Sequence, residues 1–444
     1  MTDDAHPHQP GSPAVTEPPG RPLRIGRRGL GGRAAVAAGA GLFATSGLRH
    51  AARPAPPRAG AAPPADPAWS RELGPGVDDH PYGQPSRYVR DVIRRPVPWL
   101  TQTTESSVSF TPLQDQPGII TANGLFFTRD HAGRPDVDPA THRLLIHGLV
   151  DRPLLLSLAD LQRFPSVSVI HFIECPANGA TEWRGAQLDS LQFTHGMIGC
   201  AEWTGVRLST LLEETGLGRQ ARWLLAEGAD GAHMDRSLPL AKCLDDCIVA
   251  YGQNGEALRP EQGFPLRLLV PGWQGSLNVK WLRRLEVGAA PWYSREDIVD
   301  YTEPMPGGLA RAFDWVLYAK SVITYPCPER RLAGAGRYEL RGLAWSGKGR
   351  IRQVDISLDG GVNWQHATLQ APVLPKALTR FTLPWSWDGR PALLQSRAVD
   401  ETGFVQPTIS ELRTVRGSGP IYNNNAIQTW QVKPDGRVFS VQLA

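Results

Sequence analysis

Between Val167 and Ile173 the chain runs Val-Ser-Val-Ile-His-Phe-Ile, an apolar β-type stretch that ends at Glu174-Cys175 and a Pro-Ala-Asn-Gly turn. A strand that stops at such a turn delivers its last side chain to the rim of a sheet, and rims and loops are where sites are built. A cysteine beside Ile and Phe is, by itself, a small buried hydrophobe. Cys175 becomes a candidate for chemistry through the cations and polar turns found elsewhere along the chain.

A second apolar run, Leu125 to Phe127, ends in Thr128-Arg129-Asp130-His131 and a Gly/Pro turn, which places two potential cations at another strand end. His142–Val150 reads as a strand, Leu156–Phe164 as a helix, and Ala201–Leu217 as a packed helix with apolar residues at 203, 206, 208, 211 and 212. A strand leads to Asp230, and a short helix follows over Ser237–Asp246. The segment from Cys247 to Leu258 is a strand pair joined at Gln253-Asn254-Gly255, an Asn-Gly hairpin signal that brings Tyr251 to a strand end. Two further strands carry Arg267 and Lys280 on either side of a turn at Pro271–Gly275. Short strands interrupted by helices, without regular βαβ alternation, predict an α+β domain with a mixed sheet over residues 96–295.

From Tyr338 onward the pattern changes to alternating apolar and polar residues (Val354, Ile356, Leu358), with a turn at Asp359-Gly360-Gly361 and more short strands after it. This predicts an all-β immunoglobulin-like sandwich over residues 310–435.

Composition adds a targeting segment. Residues 21–48 carry a cationic head at Arg24, Arg27, Arg28 and Arg33, then an uncharged Ala/Gly-rich block, so residues 1–52 read as an export signal of twin-arginine type. A Pro-rich linker or arm over 53–95 follows. The first 60 residues hold eight Arg against three Asp or Glu, a local +5 that leaves the rest of the chain at −1 out of a total of +4. That balance gives no support for a nucleic-acid partner. Past the N-terminal segment no apolar run reaches about 18 residues, so no membrane span is expected. The five cysteines fit no disulfide framework, and none lies in a CxxCH haem motif. Cys243 and Cys247 would share a helical face, either as core thiols or as a metal pair.

Taken together, FFTRDH, CPAN, EWTGVRLSTLL, VAYGQNG and GFPLRLLVPGWQGSLNVKWL resemble, in order, the molybdenum-domain motifs of the sulfite oxidase family. AWSGKGRIRQVDISLDGGVNW resembles the dimerisation domain that follows it. Within the family, the segments around Phe127 and from Ser294 to Glu329 are most similar to the molybdenum subunit of sulfane dehydrogenases. The resemblance implies that Cys175 is the single protein ligand to molybdenum, a role that suits a thiolate. It implies that a pterin cofactor is held by Phe127, Thr128, Arg129, Asp130, His131, Asp230, Gln262, Arg267, Asn278, Val279 and Lys280. Arg129 would also face the substrate, and Tyr251 would hydrogen-bond near the metal's oxo group.

Two departures stand out. Sulfite oxidases carry Arg five residues after the ligand cysteine, where this chain has Ala180, and His before the GFP motif, where it has Gln262. Loss of an arginine clamp points to sulfane sulfur on a carrier protein's cysteine as substrate, with free sulfite as the alternative and a cofactor-free binding protein as a remote one. The resemblance of the second domain implies a homodimer core; without a haem motif or a cysteine cluster of its own the chain is expected to pass electrons to another chain, which by resemblance is a periplasmic c-type cytochrome subunit.

Overall fold

A computed structural model describes residues 85–97, 107–417 and 419–443. The export-signal layout and most of the Pro-rich stretch lie outside the described residues. None of the described helices is long and apolar enough to cross a membrane.

The strand bearing the Cys175 turn spans Ser166–Glu174 and pairs antiparallel with Ile198–Arg207, which pairs in turn with Ile248–Gln253. Arg267–Leu269 and Glu256–Ala257 both add to Ile248–Gln253. At the hairpin, Asn254 and Gly255 take φ of 51° and 78°. Two successive positive φ values are what a tight hairpin turn matched to strand twist demands.

The helix expected over Ala201–Leu217 is shorter. Ala201 to Arg207 extend as a central strand, and the helix covers only Leu208–Thr215. Backbone ladders to a neighbour on each side override the weak helical spacing of Trp203 and Val206. The expected helix near Leu238 likewise divides into a strand, Asp235–Pro239, and a helix, Leu240–Asp245.

A second sheet orders Leu154–Leu156, Leu144–Gly148, Leu282–Gly288, Trp223–Gly228 and Asp235–Pro239. Leu144–Gly148 runs parallel to Leu282–Gly288 and the other neighbours run antiparallel, so the sheet is mixed. A small third sheet joins Arg95–Pro96, Ser107–Phe110 and Thr128–Asp130, the last of which carries the Thr-Arg-Asp motif.

The C-terminal region is a β-sandwich. One sheet holds Lys320–Tyr325, Gly336–Trp345, Thr379–Trp387 and Thr368–Gln370, and the other is built on Ile351–Ser357, Ala392–Asp400, Thr429–Val432 and Val438–Val441. Its core of Trp345, Phe381 and Trp430 continues into the α+β region through Phe172, Ile198 and Cys200. Successive residues of a strand point to opposite faces. Phe172 therefore joins the sandwich core, while Ile173 joins a separate cluster with Phe127, Trp203 and Cys175. The Cys175 strand is thus shared between two cores.

Candidate active site

Twelve of the thirteen residues singled out in the sequence line one cleft of about 660 Å³: Phe127 to His131, Cys175, Asp230, Gln262, Arg267 and Asn278 to Lys280. Tyr251 is not among the lining residues. It packs beside the core cluster of Val249 and Leu268, whereas Ala250 faces the cluster that contains Cys175. Strand alternation thus turns the two neighbours to different sides.

Cys175 sits just beyond the last strand residue, 8% exposed, and its backbone N–H donates to the Met197 carbonyl at 2.9 Å. Burial pushes its thiol up, opposed by the Ala177 backbone N–H and the Arg129 charge. Gly275 is needed here because a β-carbon at that position would meet the Glu174 carbonyl oxygen at 2.8 Å.

The floor of the cleft is cationic. An isolated bridge pairs Arg267 with Lys280, bringing the two flanks of the Pro271–Gly275 turn together. Lys280 Nζ donates to the Asp130 carboxylate and, at 3.1 Å each, to the Arg129 and Glu261 carbonyls. Burial by itself pushes the Asp130 carboxyl up, but the Lys280 and Arg134 charges outweigh it and hold the carboxyl below its usual range. Lys280 is itself lowered by burial, with Asp130 resisting. Burial, followed by the charges of Arg129 and Lys280, drives the His131 imidazole down to about 3, so it is neutral at physiological pH. Its Nε2 lies 3.2 Å from the Tyr301 hydroxyl.

Arg267 differs from these paired ions. It is 3% exposed, and among the described residues its guanidinium donates to neutral partners, the Gln262 carbonyl at 3.0 Å, Gln262 Oε1 at 3.1 Å and the Asn278 carbonyl at 3.2 Å, and lies 4.9 Å from the Trp203 ring centroid. Its Nε is buried without a partner, and burial lowers its pKa to about 9. A buried cation met by amides and a ring face but no carboxylate is costly unless an anion joins it. Gln262 suits this arrangement, since its Nε2 donates to the Phe127 carbonyl at 3.0 Å while its oxygen accepts from Arg267. A phosphate-tailed pterin fits this donor set.

Several contributors were missed in the sequence. Ser276, Trp281 and Tyr301 also line the cleft. Behind them Arg236, 1% exposed, donates from Nε to Asp297 Oδ1 at 2.8 Å and from Nη1 to the Ser276 hydroxyl, with its guanidinium 4.4 Å from the Tyr301 ring centroid. Ser276 and Trp281 lie inside the segment already singled out, between Gln274 and Leu282, and were within reach of it. Tyr301 and Arg236 meet only through the fold, and no local pattern marks them. All five cysteines are buried and free, and Cys243 and Cys247 lie in the apolar core of the second sheet.

Comparison with known proteins decides the family. The family described as "Oxidoreductase molybdopterin binding domain" matches residues 131–295, and "Mo-co oxidoreductase dimerisation domain" matches 311–429. Sulfite oxidase of Gallus gallus is 33% identical over 331 residues, covering 67% of this chain and 71% of that protein. The chain belongs to the sulfite oxidase family of molybdopterin oxidoreductases. The mitochondrial sulfite oxidase of Mus musculus is 30% identical over 74% of this chain, which spans only 65% of that protein's length. Among solved structures, the sulfane dehydrogenase SoxCD of Paracoccus pantotrophus aligns with a TM-score of 0.82 and 50% identity, covering 85% of this chain and 97% of that one.

Proposed function

We propose that this chain is the molybdenum-carrying subunit of a sulfane dehydrogenase, oxidising sulfane sulfur held on the cysteine of a carrier protein and passing electrons to a c-type cytochrome subunit. The observation that carries this reading is the joint exposure to one cleft of Cys175 and of Arg267, a buried cation without a carboxylate. The 50% identity to SoxCD favours sulfane sulfur within the family.

When bound, the molybdenum cofactor supplies oxygen-atom transfer to a sulfur lone pair. Each oxygen added comes from water and releases two protons and two electrons. The Cys175 thiolate holds the metal. Arg267, Lys280 and the Asn278–Lys280 backbone anchor the anionic pterin tail, with Gln262 orienting Arg267. Arg129, at the rim, faces the incoming sulfur species. Neutral His131 and the Tyr301 hydroxyl, 3.2 Å apart, hydrogen-bond each other and present a neutral polar wall to the cleft. The sandwich serves as the dimer interface, and export by the twin-arginine route would place the enzyme in the periplasm with its cytochrome.

The family's extra arginine is replaced by Ala180, which opens the three-ten helix Ala180–Arg184 directly after the Cys175 turn. One clamp on a small dianion is thereby lost, which suits a sulfur atom delivered on a larger carrier. Oxidation of free sulfite is the second reading, favoured by the curated sulfite oxidases among the relatives. Ala180→Arg separates the two. It should raise kcat/KM for sulfite by about 10-fold or more, the scale of one added charge-assisted contact, and unchanged sulfite kinetics would remove this explanation of specificity.

A further inference from the structure

The Cys175 turn is gripped from two sides. On the α+β side, the Cys175 N–H donates to the Met197 carbonyl at 2.9 Å and the Met197 N–H to Asn178 Oδ1 at 3.0 Å. The other side belongs to the C-terminal region. Lys320 Nζ donates to the Asn178 carbonyl at 2.8 Å, Asn423 N–H to the Pro176 carbonyl at 2.7 Å, and Asn424 Nδ2 to the Gly179 carbonyl at 3.0 Å. Three carbonyls of a five-residue turn thus accept from side-chain and backbone donors of Lys320, Asn423 and Asn424, none of which lines the 660 Å³ cleft.

The grip extends to the residue before the cysteine. Glu174 pairs with Lys320 at 3.1 Å, accepts from Trp345 Nε1 at 2.7 Å and accepts from Asn178 Nδ2 at 2.8 Å. Glu174, Lys320 and Asn178 are all 3% exposed or less. Gly179 sits within the gripped turn at φ +95°, a backbone conformation that L side chains rarely adopt. A buried ion pair is a poor device for stability alone, because apolar replacements of the same shape are often as stable or more so. Satisfied buried polar networks do, however, hold a unique geometry.

We propose that the sandwich region is a working part of the active site, in which Lys320 and Asn424 are positioning residues that fix the Cys175 turn and so set the angle at which the thiolate meets the metal. The inference rests on Cys175 being the molybdenum ligand. Thiolate direction governs overlap with the metal and hence its electronic structure, so the latch acts on the cofactor without touching it.

The test uses the full-length, molybdenum-loaded protein with Asn424→Ala and, separately, the charge-neutral pair Glu174→Gln with Lys320→Met. Asn424→Ala removes two neutral hydrogen bonds, the one donated to the Gly179 carbonyl and the one accepted from the Ala426 N–H, a loss of about 2 kcal/mol that the fold should withstand. Both variants should keep the parental molybdenum and pterin content. Their Mo(V) electron paramagnetic resonance g-values should shift, and kcat should fall by about 10-fold to 100-fold, the range for partners that orient metal ligands, with KM changed less than about 3-fold. Parental spectra and parental kcat in Asn424→Ala would overturn the latch. A parental protein that takes up no molybdenum would instead overturn the functional reading beneath it.

Discussion

The backbone of Gly275 lies against that of Cys175: a β-carbon on Gly275 would stand 3.2 Å from the Cys175 nitrogen and 2.8 Å from the Glu174 carbonyl oxygen. Two segments a hundred residues apart in sequence thus touch through backbone atoms, at the junction of the Cys175 turn and the segment that carries Asn278 and Lys280. Gly275→Ala must push one of them. The expected cost is about 1–3 kcal/mol of stability, the usual penalty of overpacking, together with lowered molybdenum occupancy. Urea denaturation and metal analysis of the same preparation check both, and full occupancy with unchanged stability would contradict the packing.

Arg267 gives a sharper separation between folding and cofactor binding. Arg267→Met removes an uncompensated buried charge but also strips the Gln262 and Asn278 carbonyls of a donor. The two effects oppose each other, so the cofactor-free protein should lose no more than about 2 kcal/mol. Pterin and molybdenum retention should fall by about 10-fold or more, since a phosphate loses its most buried cation. Equal losses in both measurements would make Arg267 a structural residue.

Cys175→Ala should leave the fold intact, because a thiol 8% exposed beside Phe127 and Ile173 contributes little more than a small apolar side chain. Turnover should drop by at least about 100-fold, beyond what loss of an orienting partner costs. Circular dichroism and steady-state kinetics on one sample suffice to check this.

A pH effect follows from Glu296, which is 7% exposed with one carboxylate oxygen unpartnered. Burial, then the neighbouring Asp300 charge, raise its pKa to about 7 against Arg295 and Arg236. The native state therefore keeps a proton that the unfolded chain gives up near pH 4.5. Stability from this pair is fully present below about pH 4.5, declines as pH rises and is lost once pH passes about 7. Solvent reaches Asp300, so the effect should be about 2 kcal/mol, smaller than the shift alone would give. Glu296→Gln should flatten this slope in urea titrations between pH 5 and 7.5, whereas a slope unchanged by the substitution would assign it to other groups.

What could be read from the sequence depended on contiguity. Phe127 to His131 and Asn278 to Lys280 each occupy one strand end or turn, so their chemistry shows locally, and the Asn254-Gly255 hairpin follows from backbone preference alone. Lys320, Trp345 and Asn424 reach the Cys175 turn across 140 to 250 residues of chain, as the 142-residue separation of Lys320 from Asn178 and the 245-residue separation of Asn424 from Gly179 show. No periodicity encodes such a contact. Tyr251 shows the opposite limit. Its motif is local, but the face to which a strand residue points is settled by register, and here that face belongs to the core. The misassigned Ala201–Arg207 has the same cause, because sheet neighbours decided its conformation.

The most direct test of the central claim measures electron yield to a c-type cytochrome from molybdenum-loaded protein offered either free sulfite or a carrier protein bearing a cysteine persulfide. The account predicts cytochrome reduction with the carrier, abolished by Cys175→Ala, and little with sulfite. Efficient turnover of free sulfite with none from the carrier would contradict it and leave an ordinary sulfite dehydrogenase.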